Sequence, residues 1–330
     1  MGYRKREIVL IGVVAAFLLT GCGQDSQKEA ALDTPKVTSE AASMETDDSE
    51  EAIYNENENK VQFQGVLYDL DEKERTAIAV SYWNLEMTEI IFPDIFSYKG
   101  EEYRVIAIGE SAFETNTLLE KIKFSDAMER IENNAFYNCP ELSRVEFGNG
   151  VKSIGDRSFG ECLKLKELVW GDSLESIGEA AFMYDEALEE LMIPKSIKSY
   201  SPDVFCDCYG LKKCVFEEGS VIVGAGMFTN CHALEEVILP EGMTIIQEEA
   251  FWDCSSLKEL KLPDTLVTIG NRAFYGVSVQ RLALPPFVSG NMADILDGAF
   301  ELKELEVTAT QKASCEDALE GTGIKIVLAE

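Results

Sequence analysis

Apolar side chains recur along most of this chain with a period of 23 residues. Phe113, Phe136, Phe159, Phe182, Phe205, Phe228, Phe251 and Phe274 stand at that spacing, usually with a small residue such as Ala112 or Ala250 directly before. An aliphatic residue lies five positions earlier (Ile108, Ile131, Ile154, Ile177, Val223, Ile246, Ile269), with Tyr200 the aromatic exception. Six, nine and eleven positions after the Phe come three more apolar residues, as in Leu142, Val145, Phe147 or Leu257, Leu260, Leu262. The last two are spaced by two, which turns both to the same side of an extended segment. Pro194, Pro240 and Pro263 follow that segment, where a missing N–H ends a ladder and turns the chain.

One coil is therefore a short strand, a Pro or Gly turn, and a return wedged by the aliphatic residue and the Phe. A single coil cannot bury its own apolar side, so the copies must stack. The pattern predicts a repeat solenoid over 103–307, with a parallel β-sheet along one face and short irregular or helical returns. After Phe274 one residue is missing, so the strand triad becomes Val279, Leu282, Leu284. The next step reaches Leu302, Leu305, Val307, with Leu296 where a Phe would stand. Ile324, Ile326 and Leu328 read as a last strand and Ala313–Glu320 as a short helix, together a C-terminal cap over 308–330. At the other end, Val61–Ser81 reads as a hairpin and Ile90-Ile91-Phe92-Pro93 as a first strand, an N-terminal cap over 61–102.

The start of the chain has a different pattern. Arg4, Lys5 and Arg6 precede a twelve-residue apolar run, Ile8 to Leu19, too short for a permanent membrane span. Residues 1–21 read as a secretory signal. Leu19-Thr20-Gly21-Cys22 resembles the bacterial lipobox, which implies cleavage before Cys22 and a lipid anchor on its sulfur. From Gly23 to Lys60 branched apolar and aromatic residues are scarce, and Gln24–Lys60 holds 11 acidic against 3 basic side chains. Residues 22–60 are expected to form a lipidated, disordered acidic tether, of which the 37 residues of Gln24–Lys60 would span about 35 Å as a flexible coil.

Composition narrows the function. A formal charge of −31, from 60 acidic and 29 basic residues, repels a phosphate backbone, so nucleic acid is not expected as a partner. One histidine and no clustered acid/base pair leave little for proton transfer, and no enzyme activity or cofactor is expected. Cys139, Cys162, Cys208, Cys231 and Cys254 share one place, three after the Phe, and read as small buried hydrophobes stacked in neighbouring coils. Oxidation of neighbours such as Cys139–Cys162 or Cys231–Cys254 stays open in an extracellular setting. Cys206, Cys208, Cys214 and His232 match no closed zinc spacing, so no metal site is expected, and His232 falls at a variable surface position.

The frame Ile-Gly-x-x-Ala-Phe-x-x-Cys-x-x-Leu-x-x-Leu-x-Leu-Pro, nearly complete in Ile246–Pro263, resembles the 23-residue leucine-rich repeats of BspA-like surface proteins. The match runs over about residues 85–307. The resemblance implies a right-handed curved solenoid with the sheet on its concave face, surface exposure, and roles in adhesion or protein binding.

Between the two inward strand positions, one residue per coil faces outward: Lys123, Glu146, Val169, Met192, Val215, Ile238, Lys261 and Ala283. Val169, Met192, Val215 and Ile238 make an apolar stripe of about 15 Å on a surface that should be polar. Glu167, Glu190 and Glu236, two residues earlier, are expected to border it with negative charge, Lys213 being the exception. A protein or peptide ligand with apolar anchors and some positive charge would fit. Strand propensity alone also favours such residues. Two functional readings follow: a membrane-anchored interaction protein of adhesion type, or an envelope-structural protein that self-associates or contacts wall components. A two-lobed solute-binding lipoprotein conflicts with the 23-residue period.

Overall fold

The computed structural model describes residues 51–329. The signal, Cys22 and most of the tether expected before them lie outside the described residues. The chain opens with an antiparallel cap of β1 (Ile53–Asn55), β2 (Lys60–Phe63), β3 (Val66–Asp71) and β4 (Thr76–Tyr82), joined in that order. The tether expectation is corrected here: residues 53–60 contribute strands. Ile53↔Gln62 and Tyr54↔Val61 pair across a turn in which the Asn55 side chain accepts from the amides of Asn57 and Glu58. That Asx turn lets a polar sequence close a hairpin on buried Ala52 and Val61.

After β5 (Glu89–Ile91), the hairpin of β6 (Ile95–Tyr98) and β7 (Glu101–Ile108) leads into the repeat, since β7 pairs with β4 along one edge and, along the other, with β6 at its start and the first repeat strand at its end. Most of the 23-residue coils then give two strands. The first coils carry β8 (Lys121–Lys123), β9 (Arg130–Ile131), β10 (Arg144–Glu146), β11 (Ser153–Ile154), β12 (Glu167–Val169) and β13 (Ser176–Ile177). They continue as β14 (Glu190–Ile193), β15 (Ser199–Tyr200), β16 (Lys213–Phe216), β17 (Ile222–Val223), β18 (Glu236–Ile238), β19 (Ile245–Ile246) and β20 (Thr268–Ile269). The stack ends with β21 (Arg281–Ala283), α1 (Met292–Ile295), β22 (Glu304–Val307), α2 (Lys312–Ala318) and β23 (Lys325–Leu328).

The result is a parallel β-solenoid with little helix. All eight periodic Phe rings are buried and stack nearly parallel, as between Phe136 and Phe159 (5.3 Å, 7°) or Phe159 and Phe182 (5.4 Å, 5°). The backbone locks the same step, with Phe136 N donating to Ser158 O at 2.7 Å and Phe159 N to Ala181 O at 2.9 Å. Residues two before and two after the Phe hold positive φ, as at Asn134 (55°) and Asn138 (55°) or Glu249 (57°) and Asp253 (57°). These left-handed corners swing the ring inward, and most are filled by residues other than glycine, which pay a conformational cost for it.

The strand face differs from the single continuous sheet that the period suggests. It carries three ladders, β12-β10-β8-β5, β14-β16-β18 and β21-β22-β23. A second face, made by the aliphatic position before the Phe, carries two more: the run β7-β9-β11-β13-β15, which extends the cap sheet, and β17-β19-β20. This second face breaks at Tyr200, whose side chain packs against Gly224; a Cβ there would sit 2.9 Å from Tyr200 Cβ. Ion pairs spaced by 23 residues reinforce the stack, as in Lys152–Glu129 (3.5 Å) and Lys198–Glu175 (2.6 Å).

Candidate functional site

The outward row of the strand face is the site the sequence picked out. In the middle ladder Leu191, Cys214 and Val237 point inward and are buried, while Met192, Val215 and Ile238 pair side by side on the other face. Met192 is 60% and Ile238 42% exposed, with Val215 half-buried between them. Three strands at the usual spacing of about 4.8 Å give a row of about 10 Å between outer members.

Val169 belongs to the preceding ladder and is also half-buried. The cause of the break is Trp170. It takes the inward position held by Phe124 and Phe147 in earlier coils and stacks on Phe147 (5.1 Å, 7°) and edge-on against Phe182 (5.7 Å, 86°). Its larger ring carries a donor, and indole Nε1 donates to Met192 O at 2.6 Å. The earlier coils bond the main-chain amide at this place instead, Phe147 N to Val169 O at 2.8 Å. The coils of Val169 and Met192 are thus joined through an indole rather than through a strand ladder.

The border is less acidic than the sequence suggested. Glu167 bonds the Arg144 guanidinium, and Glu236 meets Lys213 at 2.7 Å. The Glu236 carboxylate raises the Lys213 pKa, and the Glu167 hydrogen bond raises that of Arg144. Glu190 alone of the three forms no ion pair among the described residues. One coil before Val169, Glu146 meets Lys123 at 2.6 Å, and this partner holds its pKa below the usual carboxylate range. Exposed pairs of this kind contribute about 0–1 kcal/mol each. Their effect on the surface is to offset charge beside the apolar row.

A further break lies at residues 258–263, where Leu260 and Leu262 remain buried but form no strand. A groove of about 880 Å³ opens there, lined among others by Lys258, Lys261, Asp264 and Arg281. It falls at the 22-residue step from Leu260 to Leu282, which the sequence showed as a lost residue without showing that the ladder opens there.

The cysteine ladder is buried, and each thiol donates to the carbonyl of the Phe 26 residues before: Cys139 to Phe113 O (3.3 Å), Cys162 to Phe136 O (3.4 Å), Cys208 to Phe182 O (3.2 Å), Cys231 to Phe205 O (3.2 Å) and Cys254 to Phe228 O (3.2 Å). All five are free thiols. Asp185 fills the same ladder place in the coil between Cys162 and Cys208, and Asn116 and Val277 hold it in the first and last coils of the Phe series. Asp185 is fully buried, its Oδ1 accepts from Cys162 N at 3.0 Å, and its Oδ2 has no partner. Burial pushes its carboxyl well above the usual range, favouring the neutral form in the fold. His232 is half-exposed, stacks on Tyr209 (5.6 Å, 8°) and faces Asp253 at 3.3 Å. Among the described residues no group of three or more His, Cys, Asp or Glu side chains is placed to hold a metal ion, Cys206, Cys208 and Cys214 included.

Stacked coils that repeat one buried frame and vary only their outward row define a repeat scaffold of the interaction class. The chain belongs to the family of BspA type leucine rich repeat regions, whose model, built of six copies, matches residues 106–235 and 221–328. A leucine-rich repeat protein from Bacteroides ovatus shares 22% identity, with 81% of this chain and 67% of that chain covered and a TM-score of 0.63. The leucine-rich repeat protein of T. pallidum shares 24% identity over 61% of this chain and 91% of its own, with a TM-score of 0.54. These likenesses concern the fold. No curated protein matches the sequence. Among the described residues no helix is long and apolar enough to cross a membrane.

Proposed function

We propose that this chain is a lipid-anchored, extracytoplasmic interaction protein that binds a protein or peptide of adhesion type through its strand face and catalyses nothing. The observation that carries the reading is the row Met192, Val215, Ile238: three apolar side chains on adjacent strands of a water-facing surface, extended by Val169 and rimmed by paired charges. A ligand would place apolar anchors on the row and a positive group near Glu190, the carboxylate without an ion pair. The variant carrying Val169→Asp, Met192→Asp, Val215→Asp and Ile238→Asp is expected to lose capture of a partner from envelope and host-matrix extracts while keeping the parent's circular dichroism. Capture of the same partner by a folded variant would move the site elsewhere.

The anchor rests on Cys22 in its lipobox-like setting. Two acyl chains at that sulfur would hold the chain stably on a membrane, which one chain does not. Cys22→Ala is expected to abolish incorporation of labelled palmitate and move the protein from the membrane to the soluble fraction. Unchanged membrane retention would refute the anchor.

A further inference from the structure

Among the described residues the stack leaves an open strand edge at each end of the strand face, and the two edges match. β5 closes the first ladder and pairs only with β8; β23 closes the last and pairs only with β22. On β5, Phe92 N donates to Lys123 O at 2.9 Å and Thr88 O accepts from Lys121 N, so alternation along the strand turns the peptide groups of Glu89 and Ile91 to the free side. On β23, Lys325 N donates to Lys303 O (2.8 Å) and Ala329 N to Val307 O (2.9 Å), which turns those of Ile326 outward. Ile91 is 59% and Leu328 51% exposed, and Ile326 stays half-buried although it holds the inward place that is buried in β22 as Leu305. A groove of about 340 Å³ runs beside β5, lined by Gln64, Val66, Tyr68 and Met87 of the cap together with the strand itself.

We propose that these edges join, β23 of one copy adding in parallel to β5 of a second copy in the register Lys325↔Glu89, Ile326↔Ile90, Val327↔Ile91. This register repeats the one that links every coil to the next, as in Glu304↔Lys325 and Glu89↔Lys121. It lets Ile326 N–H donate to Glu89 O and Ile91 N–H donate to Ile326 O, four of the peptide groups that the two edges leave free. It also continues a charge alternation: Arg281 meets Glu304 at 3.3 Å and Glu304 meets Lys325 at 3.1 Å, after which Glu89 and Lys121 follow in sign. The side chains agree as well, Ile326 with Ile90 inward and Val327 with Ile91 outward. Such an interface uses different surfaces on the two copies, so it propagates head to tail into open filaments. It does not depend on the apolar row.

The test uses the full chain in a non-ionic detergent, with Val327→Cys and Ile91→Cys variants and a short bismaleimide. The native cysteines among the described residues are buried, which protects them from the reagent. The mixture of the two variants is expected to give a crosslinked pair, and each variant alone is expected to give none. Self-crosslinking of either variant alone, or no crosslink in the mixture, overturns the proposal. In sedimentation, the parent is expected to gain mass with concentration and Ile91→Pro, which removes only an amide unused within the chain, to weaken that association roughly tenfold or more. Equal association by a folded Ile91→Pro also overturns it; should that variant not fold, the crosslinking decides.

Discussion

Replacing Phe159 with alanine is expected to cost about 3–5 kcal/mol of stability, read as a fall in the denaturant midpoint. Phe159 is fully buried at the centre of the aromatic column. It stacks on Phe136 and Phe182 and takes the edges of Phe147 (5.6 Å, 85°) and Phe124 (6.4 Å, 76°). Truncation removes its own buried area, leaves a cavity that stacked backbone cannot close, and breaks several aromatic pairs worth about 0.5–1.5 kcal/mol each. In a stack held by neighbour contacts alone, such a loss also uncouples the halves on either side. Unfolding of the variant is therefore expected to split into two transitions. Phe274→Ala should cost less, because Phe274 lies 6.3 Å from Phe251 and meets Leu296 rather than a ring in the coil beyond. Equal losses at the two positions, with single transitions in both, would sink the column as the source of cohesion.

The column, the inward strand pairs and the outward row were legible because each is a fixed offset from a repeated Phe, and offsets survive any ignorance of the turns between them. The features that offsets miss depend on single residues. Trp170 reads as one more aromatic in an inward place, and nothing in its spacing shows that the indole N–H takes over Met192 O and divides the sheet. The second ladder face was hidden by brevity, since two-residue strands such as Ser153–Ile154 carry no alternation to read. The ion pairs at the border were hidden for a different reason. The column was read over four coils, in which Lys213 stood as an exception rather than as the partner of Glu236, and Arg144, the partner of Glu167, lies one coil earlier.

Asp185 was readable by the same column and passed over, and it supports the second strong expectation. Asp185→Cys should stabilise the protein at neutral pH by roughly 1–3 kcal/mol, the usual cost of a buried polar atom left without a partner. The midpoint of thermal unfolding should rise by at least about 2 °C. The replacement fills the gap in the thiol ladder, since the carbonyl 26 residues back is that of Phe159 and the other five positions from Cys139 to Cys254 all carry this S–H donor. The titratable groups facing Asp185 are the thiols of Cys162 and Cys208, themselves held neutral by burial, so no cation offsets a charge there. The dependence on pH gives the sign. Burial raises the carboxyl pKa of the folded state above its unfolded value near 3.9, so the folded chain binds the extra proton. The contribution of Asp185 to stability is then full below that unfolded value and is lost as pH rises through the folded one. Asp185→Cys and Asp185→Asn should therefore gain on the parent as pH rises above about 4, and the gain should level off once the folded parent has ionised. A stability difference that is flat from acid to neutral pH would mean that the Asp185 carboxyl is ionised in the fold, with a partner supplied by a rearranged coil.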